Sequence, residues 1–227
     1  MLTWLTLCGA LLLVAYLLGS TPTGYTAARV LKGIDIREHG SGSTGATNVL
    51  RTLGTVPGAF VLLVDALKGY GAIAFTHWLV NFAANNQLIP LEVNSASWLP
   101  WMVASAGLAV ILGHSKSIWL GFSGGKSVAT SLGVLFAMSW MVGLSTMGVF
   151  GLVFAFSRIV SLSSIVSAIS VPLLTIFFHQ PLAYILFALT GSLYVIWRHR
   201  SNIERLIAGT EPQIGQNHVT QPEQILK

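Results

Sequence analysis

Residues 128–156 form a stretch of 29 without one charged side chain. An uncharged apolar run longer than about 18 residues reads as membrane-spanning, because about 20 helical residues cross the hydrocarbon core. Uncharged apolar runs of 15 to 17 residues occupy 2–18, 98–112, 162–178 and 182–197, and a longer run, 56–82, carries only Asp65 and Lys68 as charged residues. The chain is 53% hydrophobic and 8% charged, against roughly 25% charged in soluble domains. That excludes an ordinary water-soluble enzyme, a disordered chain and a nucleic-acid module, despite a pI near 9.7. The runs are continuous and do not alternate with period two, so they are not barrel strands. The fold class expected is all-α: a polytopic integral membrane helical bundle. Cys8, the single cysteine, has no intrachain disulfide partner. Residues 2–18 lack a basic leader and a small-x-small cleavage pattern, and read as a retained span.

Charge resolves the 29-residue stretch. One helix of that length would run about 43 Å, well over the core thickness of about 30 Å. Two short helices turning near Trp140 to Gly143 raise the total to about seven spans. Eleven of the twelve basic residues then share one face: Arg29, Lys32, Arg37, Arg51, Lys116, Lys126, Arg158, Arg198, Arg200, Arg205 and Lys227. Lys68 lies within the second span. The positive-inside rule places the N-terminus outside and the C-terminus in the cytoplasm. All seven tryptophans fall near span ends, as an interfacial aromatic belt requires. The chemistry-bearing composition sits on the basic face, in loops 24–55 and 113–127 and in the segment 198–211. Residues 212–227 read as a mobile polar tail.

Gly40-Ser41-Gly42-Ser43-Thr44-Gly45-Ala46-Thr47-Asn48 followed by Arg51 combines close-approach glycines, hydroxyl and amide donors and a guanidinium. This suits a phosphate; a flexible loop rich in small polar residues would look the same. Gly113-His114 and, before the next helix, Gly121-Phe122-Ser123-Gly124-Gly125-Lys126-Ser127 offer an ammonium and helix-terminal amides to an anion. A nucleotide P-loop would need glycine at Leu120 and a preceding strand, which argues against an NTPase. A Gly-x-Ser-Gly protease would need a histidine base at the depth of Ser123; His77 is on the wrong side. Asp65 and Lys68 share a helix face and can pair, either at a functional site or along a polar seam. The cluster from His199 to Glu211 reads by itself as an orientation anchor. The six histidines are scattered and lack carboxylates at ligand spacing, so no metal or other cofactor is expected.

In combination and order, these segments resemble the bacterial acyl-phosphate:glycerol-3-phosphate acyltransferases, the PlsY family. The resemblance covers residue 2 to about 211. It includes Asp65-x-x-Lys68-Gly69 and Arg158-x-x-Ser161-Leu162-x-Ser164, and implies one transmembrane acyltransferase domain over 1–209. It makes Ser41, Arg51, Lys126, His199 and Asn202 the residues on which activity depends. It implies that the loop of Gly124, Gly125 and Lys126 holds glycerol 3-phosphate. With the donors read above, the substrate-binding set becomes Gly40, Gly42, Ser43, Thr47, Asn48, Lys68, His114, Gly124, Gly125 and Ser127. Asp65 and Glu211 are structural. The family usually has asparagine where this chain has Ser43 and glycine where it has Ser127.

The resemblance implies acyl transfer from acyl phosphate to the 1-hydroxyl of glycerol 3-phosphate, giving lysophosphatidate and phosphate at the inner membrane of a bacterium, with the site facing the cytoplasm. The partners are those two substrates, membrane lipid and the soluble phosphate acyltransferase that supplies the donor; no nucleic acid is expected. Two phosphates must approach, and Arg51, Lys68 and Lys126 can offset their repulsion. A mixed anhydride has a good leaving group, so direct transfer needs no acyl-enzyme; the base is His199, His114 or a donor phosphate oxygen. The rival reading is a transporter or channel for a small organic phosphate. Against it, the anion sites share one face and no internal repeat is visible.

Overall fold

The 29-residue stretch breaks at Ser139, whose backbone is extended (φ −158°, ψ 109°). The computed structural model describes residues 1–215. Their helices are α1 (Leu2–Ser20), α2 (Thr23–Lys32), α3 (Ala46–Leu53), α4 (Thr55–Asn85), α5 (Ser95–Ser115), α6 (Val128–Met138), α7 (Trp140–Ser157), α8 (Val160–Phe177), α9 (Leu182–Arg198) and α10 (Arg200–Ile207). No strand occurs among the described residues.

Five helices are long and apolar enough to cross a bilayer, with α1 and α2 taken together; α9 and α10, bent by 60°, form a sixth candidate. Two helices remain: α3, with eight residues, and α6, which has eleven and is about 16 Å long, so it reaches only about half of the core. Large apolar side chains such as Leu63, Phe156, Leu173 and Leu193 are more than half exposed, as lipid-facing positions are.

The helices that approach most closely do so through glycine. Cβ atoms at Gly19 of α1 and Gly113 of α5 would overlap the partner backbones at Val110 and Tyr16. Gly69 of α4 and Gly133 of α6 meet Thr130 and Ala66 in the same reciprocal way. Small residues allow this backbone approach where dispersion, not water exclusion, drives association. Helix α5 packs against α1, α4, α6 and α9, around Ala106, Val110, Val134 and Phe187.

The basic loops meet at one end of the bundle. Tyr16 Oη donates to the Lys116 carbonyl at 2.7 Å. Arg198 Nη2 donates to the carbonyls of Gly124 and Gly125, at 3.2 and 3.0 Å. The segment after α10 is bound to this end as well. Arg51 donates to the Pro212 carbonyl at 3.3 Å, and the Ile214 amide to the Arg158 carbonyl at 2.9 Å. Ordered packing therefore extends beyond the expected boundary at 209, through Ile214. The rest of the expected tail, 216–227, lies outside the described residues.

Candidate functional site

The first loop is shaped by a buried amide. Asn48 Oδ1 accepts from the Ser41 amide at 2.9 Å. Its Nδ2 lies 2.8 Å, 2.9 Å and 3.2 Å from the carbonyls of Ser43, His39 and Ile36. Gly40 and Gly42 have φ of +58° and +69°, a region that favours glycine. Arg37 clamps Asp35 at 2.7 Å, and its hydrogen bonds hold that carboxyl at about 2. The loop so formed presents Ser41, Ser43 and Thr47 at the start of α3, with Arg51 one turn on.

In the second loop the glycines serve contact with a histidine. A Cβ at Gly124 would strike the His114 carbonyl, and one at Gly125 the His114 ring. The Gly125 amide already donates to the His114 carbonyl at 3.3 Å. The two glycines leave room for His114, and Lys126 follows them at the wall of a cavity. Ser127 has φ +64°, costly for a residue with a side chain; its hydroxyl donates to the Ile111 carbonyl at 2.9 Å. The preference for glycine here has a backbone cause.

These elements surround a cavity of about 590 Å³. Ser41, Ser43, Thr47, Asn48, Arg51, Asp65, His114, Lys126, Ser127, His199, Asn202 and Glu211 line its basic end. Beyond them an apolar slot runs between α4, α6, α7, α8 and α9, past Leu62, Leu132, Met147, Phe150, Ala168 and Ala188. One serine on this wall turns back onto its own helix: Ser164 Oγ donates to the Val160 carbonyl at 2.8 Å.

A chain of polar contacts crosses the cavity mouth. Lys126 Nζ donates to Asn202 Oδ1 at 2.5 Å, and Asn202 Nδ2 to Glu211 Oε1 at 2.6 Å. Ser161 Oγ donates to the same carboxylate oxygen at 2.7 Å, and Arg205 Nε to Oε2 at 2.7 Å. Burial pushes the Glu211 carboxyl up, but the bonds from Ser161, Asn202 and Arg205 and the Arg205 charge outweigh it and leave it below its ordinary value. Burial brings the Lys126 ammonium down to about 8; Glu211 opposes that shift, while Arg205, Arg198 and Arg51 add to it. His199 is 3% exposed and its Nδ1 lies 2.7 Å from the Val195 carbonyl. A carbonyl can only accept, so Nδ1 carries the proton and Nε2 keeps a lone pair.

Five expected site residues lie elsewhere. Lys68 donates to the Thr21 carbonyl at 2.6 Å and to Asp65 at 2.8 Å; it ties α4 to the end of α1 and does not line the cavity. Gly40, Gly42, Gly124 and Gly125 shape the loops without lining it. Asn48 reaches the wall with its amide fully engaged. Nothing in the sequence marks Arg198 and Arg205 as site residues. Each sits among basic residues that read as orientation anchors, and only the folded chain shows the glycine-loop carbonyls and Glu211 as their partners.

The chain matches the family model described as glycerol-3-phosphate acyltransferase over residues 9–209. It is 68% identical over 221 residues to the glycerol-3-phosphate acyltransferase of Nostoc sp. strain PCC 7120, covering 97% of this chain and 98% of the relative. The enzyme of the same name from Trichormus variabilis is 67% identical, with the same coverage. Among solved structures it is similar to PlsY (YgiH), an integral membrane glycerol 3-phosphate acyltransferase, in its glycerol 3-phosphate form. The TM-score is 0.79 at 37% identity, over 92% of this chain and 96% of that one. The lysophosphatidic acid form of PlsY gives a TM-score of 0.77, also at 37% identity, over 92% of this chain and 95% of that one.

Proposed function

Because the chain belongs to the glycerol-3-phosphate acyltransferase family, we propose that its acyl donor is an acyl phosphate and that transfer is direct. The 1-hydroxyl oxygen of glycerol 3-phosphate attacks the acyl carbonyl carbon. The carbon–oxygen bond to phosphate breaks, and lysophosphatidate and inorganic phosphate leave. The hydroxyl hydrogen-bonds to Nε2 of His199 during attack, and its proton departs on the leaving phosphate.

The supporting observation is the continuity of one cavity: Arg51 and Lys126 stand at its polar mouth and an apolar slot leads away from them. A phosphate-bearing head and a fatty chain need that pairing at the lipid–water boundary. Lys126 and Arg51 take the substrate phosphates, Ser41 and Thr47 donate to their oxygens, and the slot aligns the acyl chain, so that positioning and charge carry the catalysis. In this reading six helical segments cross the membrane and α6 is a seventh, half-length membrane segment; the basic end is cytoplasmic, and the membrane is the inner membrane of a bacterium. A soluble phosphate acyltransferase supplies the donor.

Purified protein in detergent, given labelled glycerol 3-phosphate with acyl phosphate, acyl-CoA or acyl carrier protein thioester, tests this. Lysophosphatidate forms from acyl phosphate alone, with intersecting initial-rate plots. Turnover only with a thioester donor overturns the donor; parallel plots or an isolable acyl-enzyme overturn direct transfer.

A further inference from the structure

The slot ends on two side chains. Leu135 of α6 and Phe187 of α9 line its deep end, and the same two line a separate void of about 10 Å³ immediately beyond. The next turn outward on each surrounding helix lines that void: Met138 on α6, Val142 on α7, Thr175 on α8 and Tyr184 on α9. The void continues the slot, and Leu135 and Phe187 divide them. Both are buried, at 5% and 4% exposure. The Phe187 ring has no room to swing towards α5, because it lies where a Cβ at Gly107 would be.

We propose that Phe187, with Leu135, is the gauge that sets the longest acyl chain the enzyme accepts. This rests on the acyl-transfer reading above. From the polar mouth to this floor the slot runs about 12 Å along α6, from Ser127 to Leu135, and about 18 Å along α9, from His199 to Phe187. A chain whose carbonyl lies beside His199 descends until its methyl end meets the ring. A longer one must fold back or displace a side chain wedged in close packing, and dense interiors resist that.

The test is competition among myristoyl, palmitoyl, stearoyl and arachidoyl phosphate, with the lysophosphatidates read by mass spectrometry. Phe187→Ala joins slot and void and raises the arachidoyl-to-palmitoyl product ratio about tenfold, the discrimination that small steps in an apolar pocket produce. Phe187→Leu gives a smaller shift of the same sign and guards against misfolding of the alanine variant. Ala168→Leu, on the α8 wall nearer the mouth, shifts preference towards myristoyl. Thermal stabilisation by lysophosphatidates of the same four lengths reads the gauge without any donor, and follows the same order. Unchanged ratios and stabilisation in all three variants overturn the gauge. Wild-type failure with every acyl phosphate, beside a length-dependent stabilisation that these variants move, overturns the donor and leaves the gauge standing.

Discussion

Lys126 carries a pH signature that separates a binding ammonium from a structural one. Burial brings it down to about 8, with Arg205, Arg198 and Arg51 adding to the shift against Glu211. The charged form is then about nine-tenths populated at about pH 7 and about one-tenth at about pH 9. The second ionisation of a phosphate monoester lies near 6, so glycerol 3-phosphate is a dianion across that range and contributes nothing to a falling limb. Because the ammonium is the form that binds, kcat/KM for glycerol 3-phosphate falls as pH rises through about 8, approaching tenfold per unit. A bound dianion favours the ammonium, so the limb in kcat lies at higher pH. Lys126→Arg remains charged and loses the limb, at reduced overall rate because a planar fork replaces a point charge. Lys126→Met removes a charge-assisted bond worth about 1.5–3 kcal/mol, which is roughly ten- to a hundredfold in KM. Initial rates from about pH 6.5 to 10 at saturating donor supply the profile. A flat wild-type profile, or the same limb in Lys126→Arg, refutes the reasoning.

The remaining outcomes follow from the hydrogen bonds around the site. Lys68→Met leaves Asp65 buried without its cation and lowers stability by about 3–5 kcal/mol while leaving KM for glycerol 3-phosphate unchanged in protein that still folds; thermal melts and Michaelis curves separate the two. Glu211→Ala deprives Ser161, Asn202 and Arg205 of their acceptor; it lowers the melting temperature, costing about 1–3 kcal/mol for each group left unsatisfied, and lowers kcat/KM by loosening Asn202 under Lys126. Ser127→Gly relieves a left-handed backbone worth about 1–2 kcal/mol and loses a hydrogen bond of about 1 kcal/mol, so stability stays within about 1 kcal/mol and turnover persists. A KM increase above tenfold in Ser127→Gly would show its hydroxyl on substrate.

Apolar run length and charge made the long helices readable, including the break inside residues 128–156, because length against bilayer thickness is a local property of the chain; α2 and α3, inside the segment expected as the loop 24–55, were not. Most of the residues that line the cavity mouth were readable too, since hydroxyls, amides and cations cluster in loops 24–55 and 113–127. Partners distant in sequence were not. Lys68 reads as a partner of Asp65 that could also face a substrate phosphate until the Thr21 carbonyl is found beside it. Asn48 looks like a donor for substrate until four backbone groups of its own loop are seen around it. Gly124 and Gly125 match a phosphate cradle in composition, yet their lack of side chains is required by His114. The slot and its floor have no motif at all. They arise where α6, α7, α8 and α9 bring ordinary apolar residues together, and such residues are shared by every wall of the bundle.

The half-length helix α6 connects these features. A helix spanning the full core would carry Lys126 and Leu135 through the hydrocarbon no differently from its neighbours. Eleven residues instead hold Ser127 at the polar mouth and end at Met138, about 16 Å further on, close to the thickness of one leaflet. The reciprocal contact of Gly69 and Gly133 fixes α6 against α4, so its depth is set by backbone packing and not by side chains that could slide. The slot beneath Lys126 is therefore about one leaflet deep. On the acyl-transfer reading proposed above, a fatty chain in that leaflet enters it without crossing the bilayer midplane, while its activated head stays where water-soluble glycerol 3-phosphate arrives.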